Sequence, residues 1–280
     1  MRVIKKLAEM QAFADEQRCS KKKIGFVPTM GFLHEGHLSL VDQAKKKCEV
    51  VVVSIYVNPT QFALGEDLDR YPRDFKKDLE LCEQRGVDIV FAPDNDVMYP
   101  SGFETTIHLN KTTSDLEGSS RPSHFDGVAT IVTKLFNAVK PHIAFFGQKD
   151  FQQSLIVKRL AKNLNFDLKI EVCPIVREKH GLAMSSRNNY LSTGERSAAL
   201  VLHKAIELAK EMVEQGKIDV AAIEKELNNF VAKEKLAKVE YIALRNRSNL
   251  NKIKVLKKGK TVLLLAVRIG KTRLIDNELL

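Results

Sequence analysis

The sequence predicts an α/β fold: a parallel sheet with helices on both faces, followed by a smaller C-terminal α+β domain. Three observations carry that expectation. Strand-like and helix-like stretches alternate through the first two-thirds of the chain, the pattern of successive βαβ units. The run VVVVSIYV at 50–57 is almost continuously β-branched and apolar, as in a strand covered on both faces. After about residue 190 the alternation gives way to two Lys- and Glu-rich helical stretches and then strand-like pieces. The expected division falls after residue 176, giving domains 1–176 and 177–280.

Taken in order, IGFVPTM (24–30) reads as a strand and GHLSLVDQAKKK (36–47) as a helix, followed by the 50–57 strand. A helix is expected over 72–86, a strand at DIVFA (88–92), a helix over 126–139 and a strand at HIAFF (142–146). A helix over 151–164 and the strand LKIEVCPIV (168–176) close the series. Helical periodicity then covers 194–214 and 219–234, with strands near 238–244, 261–267 and 272–276. The stretch NKTTSDLEGSSRPSHF (110–125) is rich in turn formers and reads as a long loop.

A chain of 280 residues has room for about two domains and for a core needing neither disulfides nor metals. Its longest apolar stretches, such as TVLLLAV at 261–267, fall well short of the ~18 residues of a membrane span. No membrane association is expected. The N-terminal MRVIKKLAEMQAFADEQ is broken by charges every few residues, so no signal peptide is read there. Cys19, Cys48, Cys82 and Cys173 lie far apart, without zinc-site spacing, and are expected to be reduced thiols of a cytoplasmic protein. The 45 basic and 35 acidic residues leave +10. That balance favours anionic partners: nucleotides, phosphates, small acids or nucleic acid. With no Trp and no basic stripe interleaved with aromatics, a nucleic-acid partner is disfavoured.

In an open parallel sheet, ligands bind outside the carboxyl ends of the strands, so the residues after each strand are the candidates. PTMGFLHEGHLSL (28–40) puts a glycine turn and two histidines before a helix. Helix-start N–H groups favour phosphate, and His34 and His37, three apart, lie on one helical face. Zinc is a poor fit, because the metalloprotease pattern spaces its histidines four apart. VNPTQF (57–62) offers Asn58 and Gln61, either as ligand amides or as turn chemistry. FFGQKDFQQ (145–153) offers Gly147 for close backbone approach, Lys149 for phosphate and Asp150 for ribose hydroxyls or a helix cap. It also places Gln153 on the next helix. A solvated Lys149–Asp150 pair is the alternative there. Ser185, Ser186 and Arg187 suit polyphosphate oxygens, or serve as an ordinary loop or helix cap.

Other nucleotide and nucleophile signatures are missing. The GKT sequences at 259–261 and 270–272 lack the first glycine of a phosphate loop, having Lys254 and Leu265 in its place. Neither GxGxxG nor GxSxG occurs.

The segments PTMGFLHEGH, VNPTQF, EDLDRYPRDF, LEGSSRPSHFDGV, FFGQKDFQQ, VREKHGLAMSSRNNYLS and TRLIDN run in this order from 28 to 277. Together they resemble the pantothenate synthetase (pantoate–β-alanine ligase) family. That family belongs to the nucleotidyltransferase group related to class I aminoacyl-tRNA synthetases. The resemblance implies a Rossmann-like ATP- and pantoate-binding domain over 1–176 and a C-terminal lid domain over 177–280. It implies ATP-dependent condensation of (R)-pantoate with β-alanine to pantothenate, AMP and pyrophosphate, through a pantoyl adenylate, with Mg²⁺ accompanying ATP. It further implies a cytoplasmic homodimer.

By the same resemblance, His34 and His37 contact ATP phosphates, with His37 as proton donor, and Lys149 joins them in catalysis. Met30, Gly147, Lys149, Asp150 and Val176 belong to the ATP site, and Met184, Ser185, Ser186 and Arg187 form its phosphate clamp. Gln61 and Gln153 hold pantoate, with Asn58 and Arg121 as polar neighbours. Two departures from the family pattern stand out. Ala63-Leu64-Gly65 replaces a common Gly-Pro-Asn, and Ser123 and Asp126 stand where Gly and often Arg are expected. A nucleotidylyltransferase on the same scaffold is the competing enzyme reading. The paired amides, suited to a small hydroxy acid, argue against it.

Overall fold

The computed structural model describes residues 1–63 and 65–280. Leu64, the centre of the Ala63-Leu64-Gly65 departure, lies outside the described residues. The chain forms two compact units, one of Met1–Gly147 with Gln152–Pro174, the other of Gln148–Phe151 with Ile175–Leu280. The sequence places its division after residue 176, whereas the first unit ends at Pro174 and the short Gln148–Phe151 segment packs with the second.

The first unit holds β1 (Arg2–Ile4), β2 (Ile24–Thr29), β3 (Val50–Ile55), β4 (Ile89–Phe91), β5 (Ile143–Gly147) and β6 (Lys169–Cys173). They form one sheet in the order β1-β4-β3-β2-β5-β6, with parallel pairings throughout. Between the strands run α1 (Leu7–Cys19), α2 (Glu35–Lys45), α3 (Phe75–Gln84), α4 (Asn95–Met98), α5 (Glu117–Ser120), α6 (His124–Val139) and α7 (Phe151–Asn163). Successive strand residues point to opposite faces, and both faces are apolar here. Phe26, Val52, Phe91 and Phe146 pack one way, with Met10 and Ala14 of α1, Phe136 of α6 and Ile156 of α7. Val27, Val51, Val53, Val90 and Phe145 pack the other way, with Leu38, Val41 and Ala44 of α2 and Cys82 of α3. Each such buried Val, Leu, Ile, Phe or Met side chain contributes roughly 1.5–3 kcal/mol. The expected helices on both faces follow from this double apolar coat.

Strand order fixes where a ligand would sit. From β2 the chain builds outward through β3 and β4, then returns to lay β5 and β6 on the other side. The direction reverses between β2 and β5, and parallel sheets open their ligand crevice at such a switch point. The sequence reading missed β1 and α1. A three-residue edge strand is too short to show a period, and α1 buries only Met10 and Ala14 among many charges. The strand expected over 168–176 stops at Cys173, where Pro174 removes a donor. Burial pushes the Cys48 and Cys173 thiols up to about 11 and Cys82 up to about 12, which suits packing rather than thiolate chemistry.

The second unit contains α8 (Thr193–Glu214), α9 (Val220–Val231) and the antiparallel strands β7 (Ala237–Asn246), β8 (Thr261–Ile269) and β9 (Thr272–Leu279). The stretch TVLLLAV starts the central strand β8, buried over Thr261–Val267. Ser192 and Glu195 form a reciprocal cap that starts α8. No described helix is long and apolar enough to cross a membrane.

Candidate active site

The turn after β2 is built by hydrogen bonds that leave little freedom. Thr29 Oγ1 donates to the Ser54 carbonyl at 2.7 Å and accepts from Gly31 N at 3.1 Å. Gly31 and Phe32 take φ of 80° and 50°. A Cβ at Gly31 would lie 2.9 Å from Asp78 Oδ2 and 3.0 Å from Ile55 Cγ2, so glycine answers both the backbone sign and the space. Asp78 of α3, 2% exposed, accepts from Phe32 N at 2.8 Å and Leu33 N at 2.7 Å. Burial pushes its carboxyl up, and the two N–H bonds only partly oppose that.

That turn delivers the histidines to the start of α2. His34 is the N-cap, and its Nδ1 accepts from Gly36 N at 3.1 Å. His37 Nδ1 accepts from His34 N at 3.4 Å. The rings stack with centroids 4.1 Å apart and planes 28° from parallel. A ring nitrogen that accepts carries no proton, so each neutral imidazole holds its proton on Nε2. Both Nε2–H groups are thereby donors, at the positive end of a helix. A cavity of about 430 Å³ adjoins this turn, lined by Met30, Gly31, Phe32, Asp78, Arg73 and Asn95 among others.

The turn after β3 carries Asn58 and Gln61. Asn58 is 1% exposed, and all four of its hydrogen-bond positions are filled by protein. Its Nδ2 donates to Gln61 Oε1 and to the Gly127 carbonyl, each at 3.2 Å. Its Oδ1 accepts from Thr60 Oγ1 at 3.0 Å and Tyr99 OH at 2.8 Å. Asn58 therefore does not face open space as a ligand group, because the packed α6 backbone takes up its amide. Gln61 Nε2 reaches Met30 Sδ at 3.0 Å, a weak acceptor.

Arg121 is similarly committed. It donates from Nε and Nη2 to both Glu66 oxygens at 2.7 and 2.6 Å, and from Nη2 to the Gln61 carbonyl at 3.3 Å. Its Nη1 lies 3.1 Å from His124 Nε2. Burial alone would push the Glu66 carboxyl up, but the hydrogen bonds and charge of Arg121 hold it below the ordinary range. His124 Nδ1 lies 2.7 Å from the Gln61 carbonyl, so Nδ1 is the donor and Nε2 accepts from Arg121. Burial and then the Arg121 charge lower His124 to about 4.

The remaining candidates divide between the two units. Gly147 ends β5, and Gln153 lies on the first turn of α7, partly buried and without a side-chain hydrogen bond among the described residues. Within the second unit, Asn277 Nδ2 donates to the Gln148 and Lys149 carbonyls at 3.0 and 2.8 Å, fixing the Gln148–Asp150 turn. Lys149 Nζ stands 3.8 Å from Asp150 Oδ1, with the lysine side chain 21% exposed. Val176 O accepts from Met184 N at 3.0 Å. Ser185 caps the 3₁₀ turn Ser186–Tyr190 by accepting from Arg187 N, so the helix-cap reading of this segment holds locally. Arg177 is tied to buried Asp276 at 2.6 and 3.0 Å.

The sequence reading missed Asp78, Tyr99, His124, Asp276 and Asn277. A signal for Asp78 was present, since it shares the buried face of α3 with Cys82, where an apolar residue is expected. Likewise Asp276 and Asn277 are buried polar residues that follow Leu274 and Ile275 in β9. The departure at Ser123 and Asp126 has local structure of its own. Ser123 takes φ 68°, the left-handed region where glycine is unstrained, and Asp126 pairs with His108 Nδ1 at 2.9 Å.

The pantoate-beta-alanine ligase family model matches residues 2–279. A pantothenate synthetase from Caldicellulosiruptor bescii is 51% identical over 277 residues, covering 99% of this chain and 98% of that protein. The crystal structure of pantothenate synthetase from Thermus thermophilus matches with TM-score 0.94 at 40% identity, covering 99% of each chain. That of the pantoate-beta-alanine ligase from Francisella tularensis, complexed with beta-gamma ATP and beta-alanine, matches with TM-score 0.82 at 34% identity, covering 100% of this chain and 97% of that one. The fold and the strand-end site, with these relatives, define an enzyme, a carbon–nitrogen ligase built on a parallel α/β sheet. The chain belongs to the pantoate–β-alanine ligase family.

Proposed function

We propose that the enzyme condenses (R)-pantoate with β-alanine at the expense of ATP, through a pantoyl adenylate. The observation that carries this is the stacked His34–His37 pair at the switch point of the sheet. Both Nδ1 atoms accept from backbone N–H groups, which makes Nε2–H the donor that each ring would offer to a phosphate oxygen. A pantoate carboxylate oxygen attacks the α-phosphorus, the bond to the bridging oxygen breaks, and pyrophosphate leaves with the electron pair. The β-alanine amine then attacks the acyl carbon. The C–O bond to AMP breaks, and the amine gives up its extra proton as the amide forms.

Charge accumulates on phosphate in the first step, so preorganised donors supply the main stabilisation. His34 and His37 take that role, with His37 as proton donor and Lys149 as the point charge. Gln61 and Gln153 orient pantoate, and holding its carboxylate in line contributes up to roughly 7–11 kcal/mol in ideal cases. Met30 and Gly147 offer backbone approach to the nucleotide, Asp150 its ribose contact and Val176 its base contact. Met184, Ser185, Ser186 and Arg187 clamp the polyphosphate, and residues 177–280 serve as a lid that keeps water from the mixed anhydride.

Mg²⁺ is proposed to arrive with ATP, held on the nucleotide phosphates. Mg²⁺ so bound would neutralise phosphate charge. We further place the enzyme in the cytoplasm as a homodimer, on the family resemblance.

Pyrophosphate exchange into ATP, with Mg²⁺ and pantoate but no β-alanine, tests the intermediate. Pantoate-dependent exchange, followed by AMP and pantothenate when β-alanine is added, is the expected result. Product formation without any exchange, with β-alanine not required to bind first, would overturn the adenylate. A nucleotide-linked product would assign a transferase instead.

A further inference from the structure

A carboxamide has two nearly isosteric ends, so its direction is decided by its partners. The Gly127 carbonyl, an obligate acceptor, faces Asn58 at 3.2 Å, and only the NH₂ end of Asn58 can meet it. The second hydrogen on that nitrogen then points at Gln61, 3.2 Å away, and only an oxygen can receive it. The hydroxyls of Thr60 and Tyr99 accept this arrangement by donating to Asn58 Oδ1. Gly127 stands close enough to do this because it has no side chain. A Cβ there would collide with the Thr60 carbonyl and lie 2.7 Å from Gln61 N.

We propose that the Gly127 carbonyl, relayed through buried Asn58, fixes the Gln61 carboxamide with its NH₂ toward the substrate, so that this position selects hydrogen-bond acceptors such as carboxylate oxygens. One N–H rests on Met30 Sδ and the other has no protein partner among the described residues. Any carboxylate or hydroxyl oxygen is a better acceptor than the thioether. An ammonium, or the NH₂ end of an amide, at the same place would meet donor against donor. Asn58 is thus a positioning residue, acting on substrate only through Gln61. The inference rests on the proposed function for the identity of the substrate as pantoate, but the amide direction does not.

The direction is readable without substrate, by NMR of the full-length protein carrying ¹⁵N amides and ¹³C-methyl methionine. A nuclear Overhauser effect from the Gln61 side-chain NH₂ to the Met30 methyl is expected. Its absence, with contacts from that NH₂ to Asn58 instead, would overturn the relay. Pantoate should then shift both Gln61 NH₂ protons. Unmoved protons in a protein that supports pantoate-dependent exchange would overturn the selection while leaving the function standing. Neither exchange nor pantothenate formation in the wild type, with all three substrates present, would instead sink the function and leave the Met30 contact to be read on its own.

Asn58→Asp should lose the Met30 contact as Gln61 turns over, and raise KM for pantoate about 10-fold with KM for ATP within about 2-fold. Tyr99→Phe keeps the Gly127 bond and should keep the Met30 contact, with pantoate KM raised less than about 3-fold. An equal effect of both variants would show that the hydroxyl side sets the amide, against the proposal.

Discussion

The ends of β2 and β3 lie side by side in the sheet, yet their polar groups are held in different ways. At the β2 end the two histidines are oriented by backbone two and three residues away. At the β3 end Gln61 is oriented by groups far along the chain: Gly127 through Asn58, and Arg121 and His124 on its own carbonyl. The first arrangement is a helix cap that forms wherever the helix forms. The second exists only when α6 is packed against the turn. A local device tolerates distant change. A remote one exposes substrate recognition to substitutions that touch no substrate.

The largest expected effect is at the β2 end. His37→Ala should keep the fold and lower pantoate-dependent exchange about 10²-fold or more, by analogy with the removal of a transition-state donor. Near wild-type exchange would remove His37 from the phosphate site. A remote support of that end is Asp78, and Asp78→Ala removes the carboxylate that accepts from the Phe32 and Leu33 N–H groups. A stability loss of roughly 2–4 kcal/mol in urea unfolding is expected. Asp78→Asn, whose single oxygen serves one of the two, should lose about half of that.

Acid separates the two ends by sign. His124 is lowered to about 4, so its contribution is present above pH 6.5 and lost as pH falls toward 4. The loss amounts to roughly 3 kcal/mol. Asp78 is raised, so its contribution is present below the ordinary carboxyl range and lost as pH rises through its folded value. Unfolding free energies of wild type and His124→Asn across pH 4–7 should therefore diverge toward neutrality, by the amount the histidine supplies. Parallel curves would mean that His124 is not held neutral by its neighbours. The smallest effect is at the entry to α6. Ser123→Gly should relieve the left-handed backbone at φ 68° and stabilise the protein by about 0.5–1 kcal/mol, read as a rise in unfolding midpoint. No gain would mean the strain is absorbed elsewhere in the turn.

Much of this was legible in the residues. The double apolar face of VVVVSIYV announced the central parallel strand. The spacing of His34 and His37 announced one helical face, since three residues make nearly one turn. Those features are written in neighbouring residues, because strand alternation, helix period and cap bonds act over two to four positions. Sequence reasoning could name Asn58 and Gln61 as polar groups after a strand, and the family resemblance added Arg121, but neither could say which of them face a ligand. The structure spends Arg121 on Glu66, His124 and the Gln61 carbonyl, and Asn58 on Gly127 and Gln61.

That choice belongs to tertiary structure alone. The partners of Asn58 and of the Phe32 amide are 69 and 46 residues away, and only packing brings them within reach. A buried polar group must be paired wherever it ends up, but its sequence neighbours do not say with whom. The sequence by itself determined the fold class and the kinds of groups at the strand ends. Packing decided which of those groups support the site and which are left to meet a substrate.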